Sequence, residues 1–299
     1  MTTAADITTD EALAVFVAVA QAKQASMNPF ERRRAERIEA TKPGRERWAE
    51  RITQTVDDET NYLVERHRQE LLAGAEALLR RADPVALAGQ TMHIVDFDQI
   101  GTRSETVGGF TMAGGVFEAL RPILPADAAT GNVIALNVRA ELHDATANLP
   151  AAASEAQIVS TAAHWINGTA LHEYAHIVAE QAAGRRIESP IVLAHPDRVQ
   201  AIARALEETP SAAEQAHAHP LEWTRGYFHL AHRTGHVEQF TADVGRYYAD
   251  PEAIVAGLTL EALRSGGREP IVEIIRRHPP TRFVTAAIPL TFTEKSPCR

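Results

Sequence analysis

Apolar residues in the first third of the chain recur at helical spacing. The clearest run follows Gly44 and falls on one helical face. Its members are Trp48, Ile52, Val56, Leu63, Leu71 and Leu78. Ala82-Asp83-Pro84 ends this run, because the residue before a proline disfavours helical backbone. The same spacing predicts further helices over residues 10–24, 29–42, 155–166, 197–206, 211–219, 221–233, 236–248 and 270–277.

Strand-like patterns are fewer and lie in the middle of the chain. Residues 92–97 alternate and are rich in apolar side chains, and residues 132–138 form the clearest strand. The glycine-rich segment 107–120 fits a strand pair or a bulged strand. The predicted fold is therefore α+β and mainly helical, with a small sheet. We divide the chain into a helical N-terminal extension, residues 1–88, and a second domain, residues 89–299.

Composition narrows the class of protein. Of the 299 residues, 45% are hydrophobic and 23% are charged, as in an ordinary globular protein. The net charge of -9 offers no basic footprint, so we expect no nucleic-acid partner. Cys298, the single cysteine, cannot form an internal disulfide. The apolar run at residues 12–20 is too short for a membrane span and follows acidic residues, so we expect a cytoplasmic protein without membrane contact.

One stretch carries a recognisable chemistry. His172 and His176 are four residues apart between helical flanks, so both imidazoles lie on one face and can bind one metal ion. Glu173 stands beside them, where it can take a proton from a water that the metal activates. Gly184 supplies a C-terminal stop for this helix. Asn167-Gly168 predicts a break or bend before it, near residue 169.

A hydrolytic zinc site needs a third protein ligand and an open position for water. After His176, no histidine follows at the short spacing that some zinc hydrolases use. Glu180 lies one turn further along the same straight helix, which makes it a poorer candidate than a residue from a facing helix. We therefore expect the third ligand to be a distant carboxylate.

The order of motifs resembles that of zincin metallopeptidases whose third ligand is a glutamate, the gluzincins, and most of all the M48-like peptidases. In that family a strand precedes the His-Glu-x-x-His helix, a later helix supplies a glutamate four residues before an aspartate, and many members carry His-Pro-x-Thr. This chain has residues 132–138, 172–176, 238–243 and His278-Pro279-Pro280-Thr281 in that order. The resemblance implies a zincin-like fold for residues 89–299, with the sheet packed on the metal-binding helix, a Zn²⁺ ion and hydrolysis of peptide bonds.

The chain departs from this family pattern at the third ligand. Gln239 stands four residues before Asp243, and Glu238 is one residue early. On a regular helix Glu238 and Asp243 point about 140° apart, so they cannot both bind the metal in the usual way. We assign Glu238 as the third ligand, because a carboxylate binds zinc far better than an amide, and Asp243 as the partner that orients a ligand histidine. Asp243 as ligand, a histidine as ligand, or a degenerate site are the alternatives.

The sequence thus predicts a zinc metallopeptidase acting on a peptide or protein, with Zn²⁺ held by His172, His176 and Glu238 and with Glu173 as general base. The resemblance further implies that residues 132–138 receive the substrate by strand addition. Tyr227 and the nearby histidines are candidates to stabilise the oxyanion. These histidines are His217, His219, His229, His232 and His236. The alternatives are a zincin-like interaction or regulatory protein without turnover, and a zinc hydrolase of a non-peptide substrate.

Overall fold

The computed structural model describes residues 49–88, 92–100, 108–112, 132–150, 152–184, 219–248, 250–265 and 269–278. The helices predicted at residues 10–24, 29–42 and 197–206, almost all of the one predicted at 211–219, and Cys298 lie outside these ranges. Residues 279–281 of the His-Pro-x-Thr motif and His217 also lie outside them.

Within the described ranges the fold is α+β and mainly helical, as predicted. The helices are α1 (Ala49–Ala82), α2 (Val138–Asn148), α3 (Glu155–Ala183), α4 (Leu221–Thr234), α5 (Val237–Val244), α6 (Pro251–Ser265) and α7 (Ile271–Arg277). The strands are β1 (Met92–Asp96), β2 (Gly109–Met112) and β3 (Asn132–Leu136), and a 3-10 turn (Phe97–Ile100) follows β1. None of the helices in these ranges has the length and the apolar character that crossing a membrane requires.

The chain forms two compact units. The first comprises residues 1–67 and 142–159, and the second comprises residues 68–141 and 160–299. The division after residue 88 that the sequence suggested stays a prediction. The second unit contains the whole described sheet and the residues of the candidate site.

In the first unit, side chains stabilise the N-terminus of α3. The backbone N–H of Gln157 donates to Ser154 Oγ at 3.2 Å, and the N–H of Ser154 donates to Gln157 Oε1 at 2.7 Å. This reciprocal pair is a capping box, which satisfies two of the N–H groups that a helix start leaves unpaired. Glu155 in the first turn also pairs with His67, whose Nε2 lies 2.7 Å from Glu155 Oε1.

In the second unit, the sheet has the order β1-β3-β2. β1 runs parallel to β3, with Met92 opposite Asn132, and β2 runs antiparallel to it, with Gly109 opposite Leu136. Both edges of β3 are therefore paired, and its residues from Val133 to Leu136 are fully buried. The prediction that this strand receives a peptide is wrong, because no ladder position is left open on a central strand.

The end of β3 also differs from the prediction. The strand stops at Leu136 rather than at residue 138, and α2 begins at Val138. Asn137 explains the change, because its side-chain Oδ1 accepts the backbone N–H of Ala140 at 3.1 Å and so caps the new helix.

Helix α3 runs without a break through Asn167 and Gly168, so the predicted interruption there is wrong. Gly168 instead allows a side chain of α5 to approach α3 closely. A Cβ at Gly168 would lie 1.8 Å from the side-chain Cδ of Gln239, which comes from α5. A glycine leaves room here for the Gln239 amide, which α5 packs onto this point of α3. The helix ends where predicted, since Gly184 adopts a left-handed φ of 63° directly after Ala183.

Candidate metal centre

The continuous helix α3 places His172 and His176 side by side on one face. Their ring centroids are 5.2 Å apart. Leu171, Ala175 and Val178 on the adjoining face are fully buried, which fixes the rotation of the helix and hence the direction of the two histidines. The predicted pair of metal-binding imidazoles is thus geometrically available.

The third member of the group is His219. Among the described residues, His172, His176 and His219 have possible ligand atoms that all lie within 4.8 Å of one another. The Nε2 atoms of His172 and His219 are 3.1 Å apart. Two nitrogens on a tetrahedral zinc ion, each at about 2.0–2.1 Å, are separated by about 3.3 Å. The separation of the His172 and His219 nitrogens is close to this value, and the three imidazoles together could hold a divalent ion.

Glu238, the predicted third ligand, is not brought into this group. It lies in the first turn of α5 with its side chain exposed to solvent. α5 is a regular helix here, so Glu238 and Asp243 point in different directions, and it is Asp243 that approaches His172. The side-chain amide of Gln239 turns toward α3 instead, where its Nε2 donates to the carbonyl oxygen of Trp165 at 3.3 Å.

The position of His219 follows from the start of α4. Pro220 is the N-cap of that helix, with φ −70° and ψ 173°, and proline disfavours helical backbone at the residue before it. The hydroxyl of Tyr248 donates to the carbonyl oxygen of His219 at 2.7 Å. Tyr247 stacks on its imidazole with 4.0 Å between ring centroids and 13° between the planes. Trp223 makes an edge contact with the same imidazole, with 4.4 Å between ring centroids and 77° between the planes.

Asp243, the predicted partner of a ligand histidine, lies beside His172. Its Oδ2 is 3.6 Å from His172 Nδ1, which leaves Nε2 directed at the other two histidines. Tyr227 donates its hydroxyl to the same Oδ2 at 2.9 Å. Burial would raise the pKa of Asp243, but its interactions with His172 and Tyr227 outweigh burial and lower that pKa. An ionised carboxylate at Nδ1 favours the tautomer whose Nε2 lone pair can bind a metal.

Burial also sets the protonation of His176 and Glu173. Burial, followed by the nearby charges of His219 and His172, lowers the pKa of His176 well below its ordinary value, so this imidazole stays neutral. Burial raises the pKa of Glu173 to about 7, with a smaller contribution from Asp243 in the same direction. The charge of His172 and a hydrogen bond from the backbone N–H of Thr111 oppose that rise.

Strand β2 lies directly against α3 beside Glu173. A Cβ at Gly109 would lie 2.8 Å from Thr169 Cγ2 and 3.2 Å from Glu173 Cγ. The absence of a side chain at Gly109 allows this approach. The sheet therefore packs on α3, the helix with the two candidate ligand histidines, and its strand β2 supplies Thr111 to the candidate general base.

The remaining histidines that the sequence offered lie elsewhere. His229 is buried and its Nε2 lies 2.9 Å from Glu261 Oε1, and His278 Nδ1 is 3.9 Å from Oε2 of the same carboxylate. His236 stacks on His164 with 5.2 Å between ring centroids, and His232 stacks on a phenylalanine of its own helix. None of these belongs to the described metal group.

Sequence reasoning included His219 only as one of five neighbouring histidines. A local signal could have singled it out. It is the histidine directly before Pro220, at the start of a helix, so its backbone is held more firmly than that of a histidine in a loop.

Comparison of the chain with protein-family models, with curated proteins and with solved structures found no match.

Proposed function

We propose that the protein is a zinc-dependent hydrolase, specifically a peptidase with a zincin-like fold, in which His172, His176 and His219 hold the metal. The observation that supports this is the convergence of three imidazoles beside the buried carboxyl of Glu173. Three histidines and one open position form one of the ligand sets of catalytic zinc. A bound Zn²⁺ would supply a Lewis acid that acidifies water and polarises a carbonyl group.

Glu173 is the proton carrier in this proposal. Burial raises the pKa of this carboxyl in the metal-free chain, and a general base works best when its pKa lies near the operating pH. It accepts a proton from the attacking water as the water oxygen forms a bond to the scissile carbonyl carbon. It then gives that proton to the amide nitrogen as the carbon–nitrogen bond breaks. One water is consumed, and the products are a carboxylic acid and an amine.

Asp243 and Tyr227 act on the ligand His172. The carboxylate of Asp243 faces Nδ1 of His172, and the hydroxyl of Tyr227 keeps that carboxylate in place. Trp223 adds a second restraint, because its indole Nε1 donates to the carbonyl oxygen of His172 at 3.2 Å. These contacts fix the imidazole before any metal binds, which reduces the ordering that binding requires.

We assign the substrate to β2 rather than to β3. Among the described residues, β2 pairs with β3 along one edge and with no strand along the other. An extended peptide added to that outer edge would lie next to the strand whose Thr111 contacts Glu173. Backbone hydrogen bonds of this kind accept many side chains, so they suit a peptide substrate.

The test compares Glu173→Gln with Glu180→Gln, which removes a carboxylate from the same helix outside the metal group. Zinc content is measured by mass spectrometry of the metal, and hydrolysis is measured on a mixed pool of fluorogenic peptides. We expect both variants to keep zinc. Glu173→Gln should lower kcat by about 10²–10⁴, the range for loss of a general base, and Glu180→Gln should keep it within about threefold.

Hydrolysis that survives unchanged in Glu173→Gln would remove this residue as the base. A purified protein that binds zinc but cleaves no peptide would favour the regulatory alternative, and cleavage of esters alone would favour a non-peptide substrate.

A further inference from the structure

Three tyrosines lie around His219 and Asp243, and their hydroxyls differ. That of Tyr248 donates to the carbonyl oxygen of His219, and that of Tyr227 donates to Asp243. The hydroxyl of Tyr247 forms no hydrogen bond with any part of the chain that the structure describes. Two of the three phenols thus hold parts of the centre in place, and the third is uncommitted within those ranges.

Ring contacts fix the position of Tyr247. Its ring lies flat on His219, at 4.0 Å between centroids, and stands at 87° to the indole of Trp223 at 5.8 Å. The charges of both Asp243 and Glu173 act on its phenol, so the ring lies within electrostatic reach of the candidate general base. The phenol is therefore rigid, next to the candidate metal ligands, and near the carboxyl that handles the proton.

We propose that Tyr247 is a catalytic residue whose hydroxyl donates a hydrogen bond to the carbonyl oxygen of the substrate. The inference rests on the proposed hydrolase function. As the water oxygen bonds to the carbonyl carbon, the π electrons of the carbonyl move onto its oxygen. The hydrogen bond from Tyr247 stabilises this developing negative charge, and the phenol keeps its proton throughout. Tyr227, the tyrosine that the sequence suggested for this role, has its hydroxyl committed to Asp243.

The experiment uses Tyr247→Phe, which keeps the stacked ring and removes the hydroxyl. Tyr62→Phe makes the same chemical change in α1, which contributes no member of the described metal group, and serves as the control. Three properties are measured for each full-length variant. They are zinc affinity by competition with a chromophoric chelator, the visible spectrum after loading with Co²⁺, and the calorimetric affinity of the zinc-loaded protein for a phosphonate tripeptide. The phosphonate oxygens stand for the charged oxygen of the tetrahedral intermediate.

For Tyr247→Phe we expect an unchanged Co²⁺ spectrum and a zinc affinity within about twofold, with phosphonate affinity at least about tenfold weaker. Turnover of peptides should fall by about 10²–10³ in kcat with little change in KM, since the hydrogen bond strengthens only as charge develops. Tyr62→Phe should match the unmodified protein in every measurement.

Equal phosphonate affinity in Tyr247→Phe and the unmodified protein would overturn the inference. A loss of zinc affinity in Tyr247→Phe would also overturn it, by assigning this residue to the support of His219. If the unmodified protein binds the phosphonate only with zinc but cleaves nothing, the hydrolase proposal fails and the catalytic role of Tyr247 fails with it; weaker phosphonate binding by Tyr247→Phe would then assign its hydroxyl to ligand binding alone. If it binds neither zinc nor phosphonate, both proposals fail.

Discussion

The contact between Gly168 and Gln239 allows a quantitative test of how α3 is held. In Gly168→Ala, the added Cβ would lie 1.8 Å from Gln239 Cδ and 2.0 Å from both the nitrogen and the oxygen of its amide. Ordinary van der Waals contact begins near 3.4 Å, so the amide must move by about 1.6 Å, the difference between 3.4 and 1.8. The site lies one turn before His172, on the helix that carries the metal group.

Two opposing effects set the size of the change. Alanine is favoured over glycine inside a helix by about 0.8–1 kcal/mol. To make room, Gln239 gives up its hydrogen bond to the carbonyl of Trp165, worth about 0.5–1.5 kcal/mol, and overpacking adds about 1 kcal/mol or more. The overpacking term should lie at its lower end, because the end of a glutamine side chain can rotate. We expect Gly168→Ala to destabilise the protein by about 1 kcal/mol.

A double-mutant cycle isolates the contact. In a Gln239→Ala background nothing obstructs the new methyl group, so Gly168→Ala should stabilise the protein by about 1 kcal/mol. The coupling energy between the two positions is then about 2 kcal/mol. Urea unfolding followed by far-UV circular dichroism, with a chelator present to exclude metal binding, measures all four proteins. Additive effects, within about 0.5 kcal/mol, would refute the packing that we describe.

Three further predictions concern the metal centre and the buried charges. His219→Ala should weaken zinc binding by at least about 100-fold, whereas Glu238→Gln should change it by no more than about twofold. Both affinities are measured by competition with a chelator. Equal losses in the two variants would indicate that the exposed Glu238 is a ligand after all. Asp243→Asn should weaken zinc binding by about 10–100-fold in the same assay, because an amide holds the ligand histidine less firmly; an unchanged affinity would contradict this. Although burial opposes it, hydrogen bonding to His229 and a neighbouring arginine charge lower the pKa of Glu261 below 4.5. The folded-state value is thus below the unfolded one, so the stability from Glu261 is present above pH 4.5 and is lost on further acidification. Urea unfolding at several pH values below 4.5 should show a free energy of unfolding that depends less steeply on pH in Glu261→Gln than in the unmodified protein. An equal slope in both proteins would show that Glu261 does not cause the acid destabilisation.

Local sequence patterns predicted the elements that depend on local forces. The helix start at residue 155, the stop at Gly184 and the end of α1 at Ala82 all formed where predicted. Each depends on a side chain or a backbone preference within a few residues. The His-Glu-x-x-His pair also needs only one helical turn to bring its imidazoles together.

Local sequence patterns did not predict the features that depend on residues distant in the chain. Asn167-Gly168 predicts a break because glycine weakens an isolated helix, but Gln239, 71 residues later (239 − 168), fills the space at Gly168. The strand at residues 132–138 showed no sign of its central position, which its partners β1 and β2 determine.

The third ligand was the least predictable part of the site. Spacing on α5 pointed to Glu238 through a family resemblance, and the proline after His219 was a weak signal among five nearby histidines. Tertiary contacts distinguish His219 from the other histidines. Tyr247 stacks on its ring, the hydroxyl of Tyr248 donates to its carbonyl oxygen, and Trp223 makes an edge contact with its ring. None of these contacts leaves a short-range pattern in the sequence.

The separation of the candidate metal ligands along the chain has a thermodynamic consequence for the proposed centre. His176 and His219 are 43 residues apart (219 − 176). An ion that joins them would act as a reversible cross-link that closes a loop of that length. In the chain-entropy treatment of disulfides, a loop of this size lowers the conformational freedom of the unfolded chain by an amount equivalent to about 4 kcal/mol. Metal binding should therefore raise the free energy of unfolding, and removal of the metal should make the protein easier to unfold.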